Sequence, residues 1–172
     1  MGNPIFAAWL FLAAALPISA YVAWSDMAVM KIPNIAVYAL AGAFAVLGLI
    51  GLPFEDYLWR YSHLAVVLVI GIALNAASLV GAGDAKFAAA AAPYVALSDG
   101  RAMIVIYIGC FLGCYALHRI AKFSPLHKLV PDWISWDAGK RFPMGFALGT
   151  TLVAYLLVCA LPAAFPMLLP AN

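Results

Sequence analysis

The chain has 172 residues, of which 67% are hydrophobic and 9% charged, with a net charge of +2. Soluble domains carry about 25% charged residues, so an ordinary globular protein is excluded. So small a positive charge without a basic run likewise excludes a nucleic-acid partner. What remains is an integral membrane protein with several spans.

An apolar segment over about 5–24 comes first. No Lys or Arg precedes it, whereas a secretion signal has a basic start, so it reads as a retained first span. Ser25-Asp26 follows, and then Ile32-Pro33-Asn34. Pro33 suits the first turn of a second helix, and Asn34 can either cap that helix or hydrogen-bond Asp26. The second and third apolar segments run over about 34–52 and 62–80, with Asn75 and Ser78 as packing residues of the third. Gly81-Ala82-Gly83-Asp84 closes that stretch. The fourth segment, about 85–97, is short, Ala-rich and interrupted by Pro93. A half-length helix starting just after Gly-x-Gly is tolerable only where its freed backbone lines a cavity or packs on protein. That expectation puts Asp84 at a helix start inside the bundle.

The fifth segment, about 102–121, carries Cys110 and Cys114, and the sixth, about 146–166, carries Cys159. No C-x-x-C pair exists, so the cysteines read as small packing residues. Gly109/Gly113 and Gly145/Gly149 have the spacing that lets helix backbones approach closely, either within one chain or between two copies. The expected fold is a single all-α membrane domain over 1–172, a six-transmembrane-helix bundle with a short fourth helix.

Loop charges orient that bundle. Lys31, Lys86, Arg119, Lys122, Lys128, Lys140 and Arg141 fall in or beside one set of connections. Arg60 and Arg101 fall in the other set, with Glu55, Asp56 and Asp99. The positive-inside rule assigns the first set to the cytoplasm and both termini to the outside. Asp26 and Asp84 then share the cytoplasmic side. The long connection over 122–145 holds Leu126, Leu129, Val130, Trp133, Ile134 and Trp136 among Lys and Asp residues. It is expected to lie at the membrane interface, as an anchor or as a guide for substrate.

Asp26 and Asp84 are the chemical clue. A carboxylate at membrane depth costs roughly 2.5–3.5 kcal/mol even on lenient scales, so such residues usually line a site or a pathway. A helix start favours the ionised form of Asp84, burial favours protonation, and two adjacent carboxyls would share one proton. Such a pair can activate a water and polarise a peptide carbonyl together, with no metal and no covalent intermediate. Taken singly, Asp84 also fits a helix N-cap and Asp26 an interfacial residue. The same two acids could relay ions in a small proton-coupled carrier or channel, or belong to an assembly factor without catalysis. Lys86 fits contact with lipid phosphate or the stabilisation of nearby negative charge. His63, His118 and His127 share no metal-ligand spacing, and no Ser/His or Cys/His pair suggests a nucleophile. No cofactor or metal is implied.

Three motifs in order, Asp26 with Ile32-Pro33-Asn34, Gly81-Ala82-Gly83-Asp84-Ala85-Lys86, and Pro143-Met144-Gly145 before the last span, resemble the type IV prepilin peptidase family. These are intramembrane aspartyl proteases of the Gly-x-Gly-Asp class, and the resemblance runs from the first span to the sixth. It implies that Asp26 and Asp84 form the catalytic pair, with Gly81, Gly83, Lys86, Pro33, Asn34, Pro143 and Gly145 shaping the site. It further implies cleavage of the leader of a prepilin or pseudopilin, after a glycine preceding an apolar helix, on the cytoplasmic side of the bacterial inner membrane. Long members carry an N-terminal methyltransferase region with paired C-x-x-C motifs. This chain is similar to the short, peptidase-only members that serve tight-adherence (Flp-type) pili. Between Asp26 and Ile32, where many relatives carry several basic residues, it has only Lys31.

Overall fold

The computed structural model describes residues 3–139 and 141–168. Among them lie α1 (Ile5–Val29), α2 (Asn34–Gly51), α3 (Phe54–Ala76), α4 (Ala82–Ala91), α5 (Gly100–Phe123) and α6 (Met144–Ala160), with short 3-10 turns between α4 and α5, between α5 and α6 and after α6. Helices α1, α2 and α3, and the stretch Leu97–Phe123 that contains α5, are long and apolar enough to cross a bilayer. The described residues are thus those of an all-helical membrane protein, with four helices of spanning length among them. Helix α6 has 17 residues. The 10 residues of α4 amount to about 15 Å of helix, against a hydrocarbon core of about 30 Å.

Several element bounds differ from the sequence expectation, and each has a local cause. Helix α1 runs on through Ser25-Asp26 and stops only at Met30, which adopts the left-handed conformation (φ 55°). Its N–H closes the helix on the Asp26 carbonyl at 2.9 Å. Helix α3 begins at Phe54, eight residues early. Pro53 precedes it, and Glu55 and Asp56 in its first turn suit the positive end of the helix dipole. Arg60 is therefore a helical residue and not a loop cation. It is 4% exposed and donates to the Pro93 and Tyr94 carbonyls at 3.2 and 3.4 Å. Helix α3 also ends early, at Ala76. Asn75 and Ser78 make a turn there and not a packing face: the Asn75 amide donates to the Val80 carbonyl at 2.9 Å, and Ser78 sits at φ 59°. At the far end of α6, Pro162 follows closely on Ala160 and a 3-10 turn takes over.

Lipid is as apolar as a leucine side chain, so helices in a membrane are held by close packing and hydrogen bonds. The core shows both. Phe11, Phe44, Tyr57, Tyr61 and Tyr94 form a tilted and edge-on aromatic stack. The Tyr94 hydroxyl donates to the Leu40 carbonyl at 2.8 Å, and the Tyr155 hydroxyl to Asp99 at 2.8 Å. Outward faces carry exposed Ile35, Tyr38, Val69, Ile72, Ile104 and Ile120, a surface suited to acyl chains.

The widest helix interface is between α1 and α6, and Gly149 makes it close. A Cβ built on Gly149 would lie 3.0 Å from the Ser19 carbonyl oxygen. Gly109 and Gly113 behave otherwise. A Cβ on either meets nothing within 4 Å among the described residues, so that pair is not a close-approach seam between them. Gly149→Leu is accordingly expected to destabilise the protein by about 1–3 kcal/mol through overpacking. Gly109→Leu should stay within about 0.5 kcal/mol of the parent. Thermal unfolding in detergent compares the two.

The long connection between α5 and α6 is built of two 3-10 turns, Pro125–Leu129 and Ile134–Trp136. Leu126, Leu129 and Ile134 are exposed, but Trp136 is buried, stacked at 5.0 Å on the ring of His118. That tryptophan holds the segment to the bundle and does not lie at its outer surface. Lys140, one of the loop cations in the orientation argument, lies outside the described residues.

Candidate active site

Asp26 occupies the last turn of α1 and is 5% exposed. The left-handed turn at Met30 reverses the chain, and the Ser25 hydroxyl fastens the return by donating to the Lys31 carbonyl at 2.9 Å. The reversal brings Ile32 back toward the start of α6. There Pro143 is the N-cap residue, so the N–H of Gly145 lies in the first turn and has no partner within its helix. It donates to Asp26 Oδ2 at 2.6 Å. Gly145 is required for the approach: a Cβ there would stand 3.0 Å from both Asp26 Cβ and Oδ2, and 3.1 Å from Ile32 Cδ1.

Asp84 is the third residue of α4, whose N-cap position is Gly81. From there its carboxyl reaches back to hydrogen-bond the Gly81 backbone, the half of a capping box that the third helical residue supplies. Gly81 has φ −63°, which any residue adopts, so the glycine supplies space and not an unusual backbone. A Cβ on Gly81 would come within 2.7 Å of Asp84 Oδ2. Gly83 makes room in the same way, since its Cβ would lie 3.3 Å from Ile32 Cβ. Gly71 of α3 seats the next residue, as a Cβ there would lie 2.9 Å from Ala85 Cβ.

Two helix N-termini, of α4 and of α6, thus each engage one carboxylate. The two carboxylates line one cavity of about 510 Å³. Met30, Lys31 and Ile32 form one wall, Gly81, Ala82 and Gly83 a second, and Arg141, Phe142 and Met144 a third. The volume is within the range of small-molecule and peptide sites. Of the residues expected at the site, Asp26, Asp84, Gly81 and Gly83 line the cavity, while Gly145 holds Asp26 and Pro143 starts the helix that supplies Gly145. Pro33, Asn34 and Lys86 do not line it. Pro33 is the N-cap residue of α2 and makes no side-chain cap, and Asn34 is the first helical residue. Asn34 therefore neither caps α2 nor bonds Asp26. Its Oδ1 accepts from exposed Lys86 Nζ at 3.3 Å, tying α2 to α4 beside the site.

Met30, Phe142 and Met144 carry no signal in the sequence, because an apolar residue beside a motif looks like any other. Arg141 does carry one, as a cation two residues ahead of Pro143. Tyr107 of α5, within electrostatic reach of Asp84, is separated from it by a whole turn-and-helix and is invisible to spacing.

No family model, curated protein or solved structure matches the chain.

The electrostatics of the cavity follow from its burial. Asp84 is raised from the ordinary 3.8 to about 6, first by burial and second by the charge of Asp26, with the Gly81 hydrogen bond pulling the other way. Between 3.8 and about 6 the folded chain keeps a proton that the unfolded chain has released. This group therefore makes the fold less stable as pH rises through that window. Asp26→Asn removes the second cause and leaves the first. The Asp84 midpoint is expected to fall in that variant while staying above 3.8, as read by carboxyl ¹³C NMR on aspartate-labelled protein. An unmoved midpoint would mean that the charge of Asp26 does not reach Asp84.

Proposed function

We propose that the protein is an intramembrane aspartyl endopeptidase that removes the leader from type IV prepilin-like (Flp-type) substrates. The observation that carries this reading is the pair of carboxylates, Asp26 and Asp84, on one cavity with a helix N-terminus behind each. One proton shared by the pair gives it both an acid and a base. The base takes a proton from a water, whose oxygen adds to the scissile carbonyl carbon, while the acid protonates the carbonyl oxygen. Collapse of the resulting diol breaks the C–N bond, and the leaving nitrogen takes up a proton from the pair. No metal and no covalent intermediate is required by this sequence of steps.

The substrate class is supported from two sides. The motifs that flank the pair resemble those of the prepilin peptidases. Beside the site, an apolar cavity of about 210 Å³ lies between α4, α5 and α6, lined in part by Phe87, Met103, Tyr107 and Leu148. It offers a place for an apolar side chain of the helix that follows a prepilin cleavage site. The gathering of Lys31 and Arg141 at the catalytic end supports a cytoplasm-facing site in the bacterial inner membrane, with six helices embedded and both termini outside. The open faces of Gly109 and Gly113 are compatible with contact to a second copy.

The deciding experiment mixes the purified protein with a leader-bearing prepilin peptide in detergent and reads the products by mass spectrometry. One cut after the glycine ahead of the apolar helix is the expected result. An intact peptide, with acid-dependent ion flux in liposomes, would replace the reading with that of a carrier.

A further inference from the structure

A second polar cavity lies beside the first, and its chemistry is different. It has a volume of about 330 Å³, and its walls include His118, Arg119, Lys122, Ser135 and Arg141. Three of these are cations, and among the described residues no carboxylate lines it. Arg141 and Phe142 form a wall common to both cavities, so the second lies at the same end of the bundle as Asp26 and Asp84.

Two of its lining residues each carry a buried polar atom with no partner among the described residues. His118 is 5% and Ser135 2% exposed, and neither His118 Nε2 nor Ser135 Oγ has a hydrogen-bond partner among the described residues. A buried polar atom left without a partner is unfavourable, so a ligand group able to reach either one would be favoured here. The imidazole is not free to turn away. It is stacked on Trp136 at 5.0 Å and meets Phe142 edge-on at 5.8 Å. Lys122 in turn is held by the Trp136 carbonyl, which fixes its ammonium at the cavity. An imidazole, a hydroxyl, an ammonium and two guanidinium groups belong to the residues that line this one space, and each can donate. A tetrahedral oxyanion has the acceptors to meet them.

We propose that this cavity is a binding site for a phosphate group, supplied by the headgroup of an anionic membrane lipid. Basic pockets between helices at a membrane face bind such headgroups. The surroundings fit that source. Phe123, Leu126, Leu129 and Ile134 are exposed on the segment that borders the cavity, where acyl chains would lie against them. Arg119 stands over the rings of Tyr115 and Phe123 at 5.9 and 5.2 Å, at the junction of the apolar surface and the cationic cavity. The site is independent of the peptidase reading, and its outcome holds whether or not Asp26 and Asp84 cut peptides.

The test uses the full chain purified in detergent, with Arg119→Gln and Ser135→Ala as variants. Ser135→Ala removes one hydroxyl, and Arg119 is exposed, so both should fold. Native mass spectrometry and thermal unfolding are followed against phosphatidylglycerol, against inorganic phosphate, and against chloride at equal ionic strength. The expected result is one retained phosphatidylglycerol per chain and a rise in unfolding temperature that chloride does not reproduce. Each variant should weaken binding about tenfold or more, the ratio that one charge-assisted hydrogen bond supplies. Binding of inorganic phosphate alone would keep the phosphate site and reassign its source to a free anion. No binding of either ligand, an equal effect of chloride, or unchanged affinity in both variants would overturn the proposal.

Discussion

Asp26→Asn and Asp84→Asn should each lower leader cleavage by roughly 10³-fold or more, since general acid–base catalysis by one positioned group is worth about 10²–10⁴-fold. Either change removes one of the two proton-handling groups, and the remaining carboxyl cannot act as base toward water and acid toward the carbonyl in the same step. Asparagine is close to isosteric, and at position 26 its side-chain oxygen can still accept from the Gly145 N–H, which now donates at 2.6 Å. Both proteins should therefore remain in the membrane at parental levels, with an intact prepilin accumulating beside them. Cleavage at the parental rate by either variant would end the proposal. The two readouts, product by mass spectrometry and membrane level by immunoblot, separate lost chemistry from lost folding.

The second large effect is expected from a residue that has no side chain at all. In Gly145→Ala the new methyl would lie 3.0 Å from Asp26 Cβ and Oδ2, a distance at which one side must yield. Asp26 Cβ is fixed by the last turn of α1, so the carboxyl swings away from the Gly145 N–H or α6 recedes. A displacement of about 1 Å at a reacting group can cost about 10²-fold in rate, and a loss of that order is expected in kcat. The unfolding temperature should change far less, because one added methyl has Asp26 and Ile32 as its nearest neighbours and leaves the rest of the α1–α6 interface as it is. Full activity in Gly145→Ala would show that Asp26 does not need this position to work. Equal losses of activity and of stability would assign Gly145 to packing alone.

Asp26 illustrates how far the chain could be read unaided. Its position at the edge of an apolar block marks it as costly and hence as a candidate site residue, because an acid at membrane depth is unfavourable wherever it lies. The same reasoning singles out Asp84 and its glycines. The sequence does not tell what the glycines are for. Positive φ is a natural expectation for Gly81, yet its φ is −63° and its use is clearance for the Asp84 carboxyl. Clearance depends on where a neighbour's atoms come to rest, and a motif does not record that. Asn34 shows the opposite outcome. A cap is the ordinary expectation beside Pro33, but Pro33 takes the cap position and Asn34 turns to Lys86 of another helix.

Arg60 and the two glycine pairs make the same point at the level of the bundle. A cation near Glu55 and Asp56 looks like a loop residue until α3 proves to begin at Phe54 and turns Arg60 inward onto the Pro93 and Tyr94 carbonyls. Gly109/Gly113 and Gly145/Gly149 are identical in spacing, but one pair meets open space and the other meets Ser19 and Asp26. Spacing gives only a face, and the partner on that face is a tertiary fact.

The membrane character, the helical class and the two acids were already present in the order of residues, because hydropathy, backbone satisfaction in lipid and the cost of a buried charge are local properties of the chain. The partnership of Asp26 with a backbone N–H 119 residues away, the cavity shared with Asp84, and the cationic cavity that His118 and Ser135 line came only with packing. Each depends on atoms from separate helices meeting within a few ångström, and no local preference specifies such a meeting.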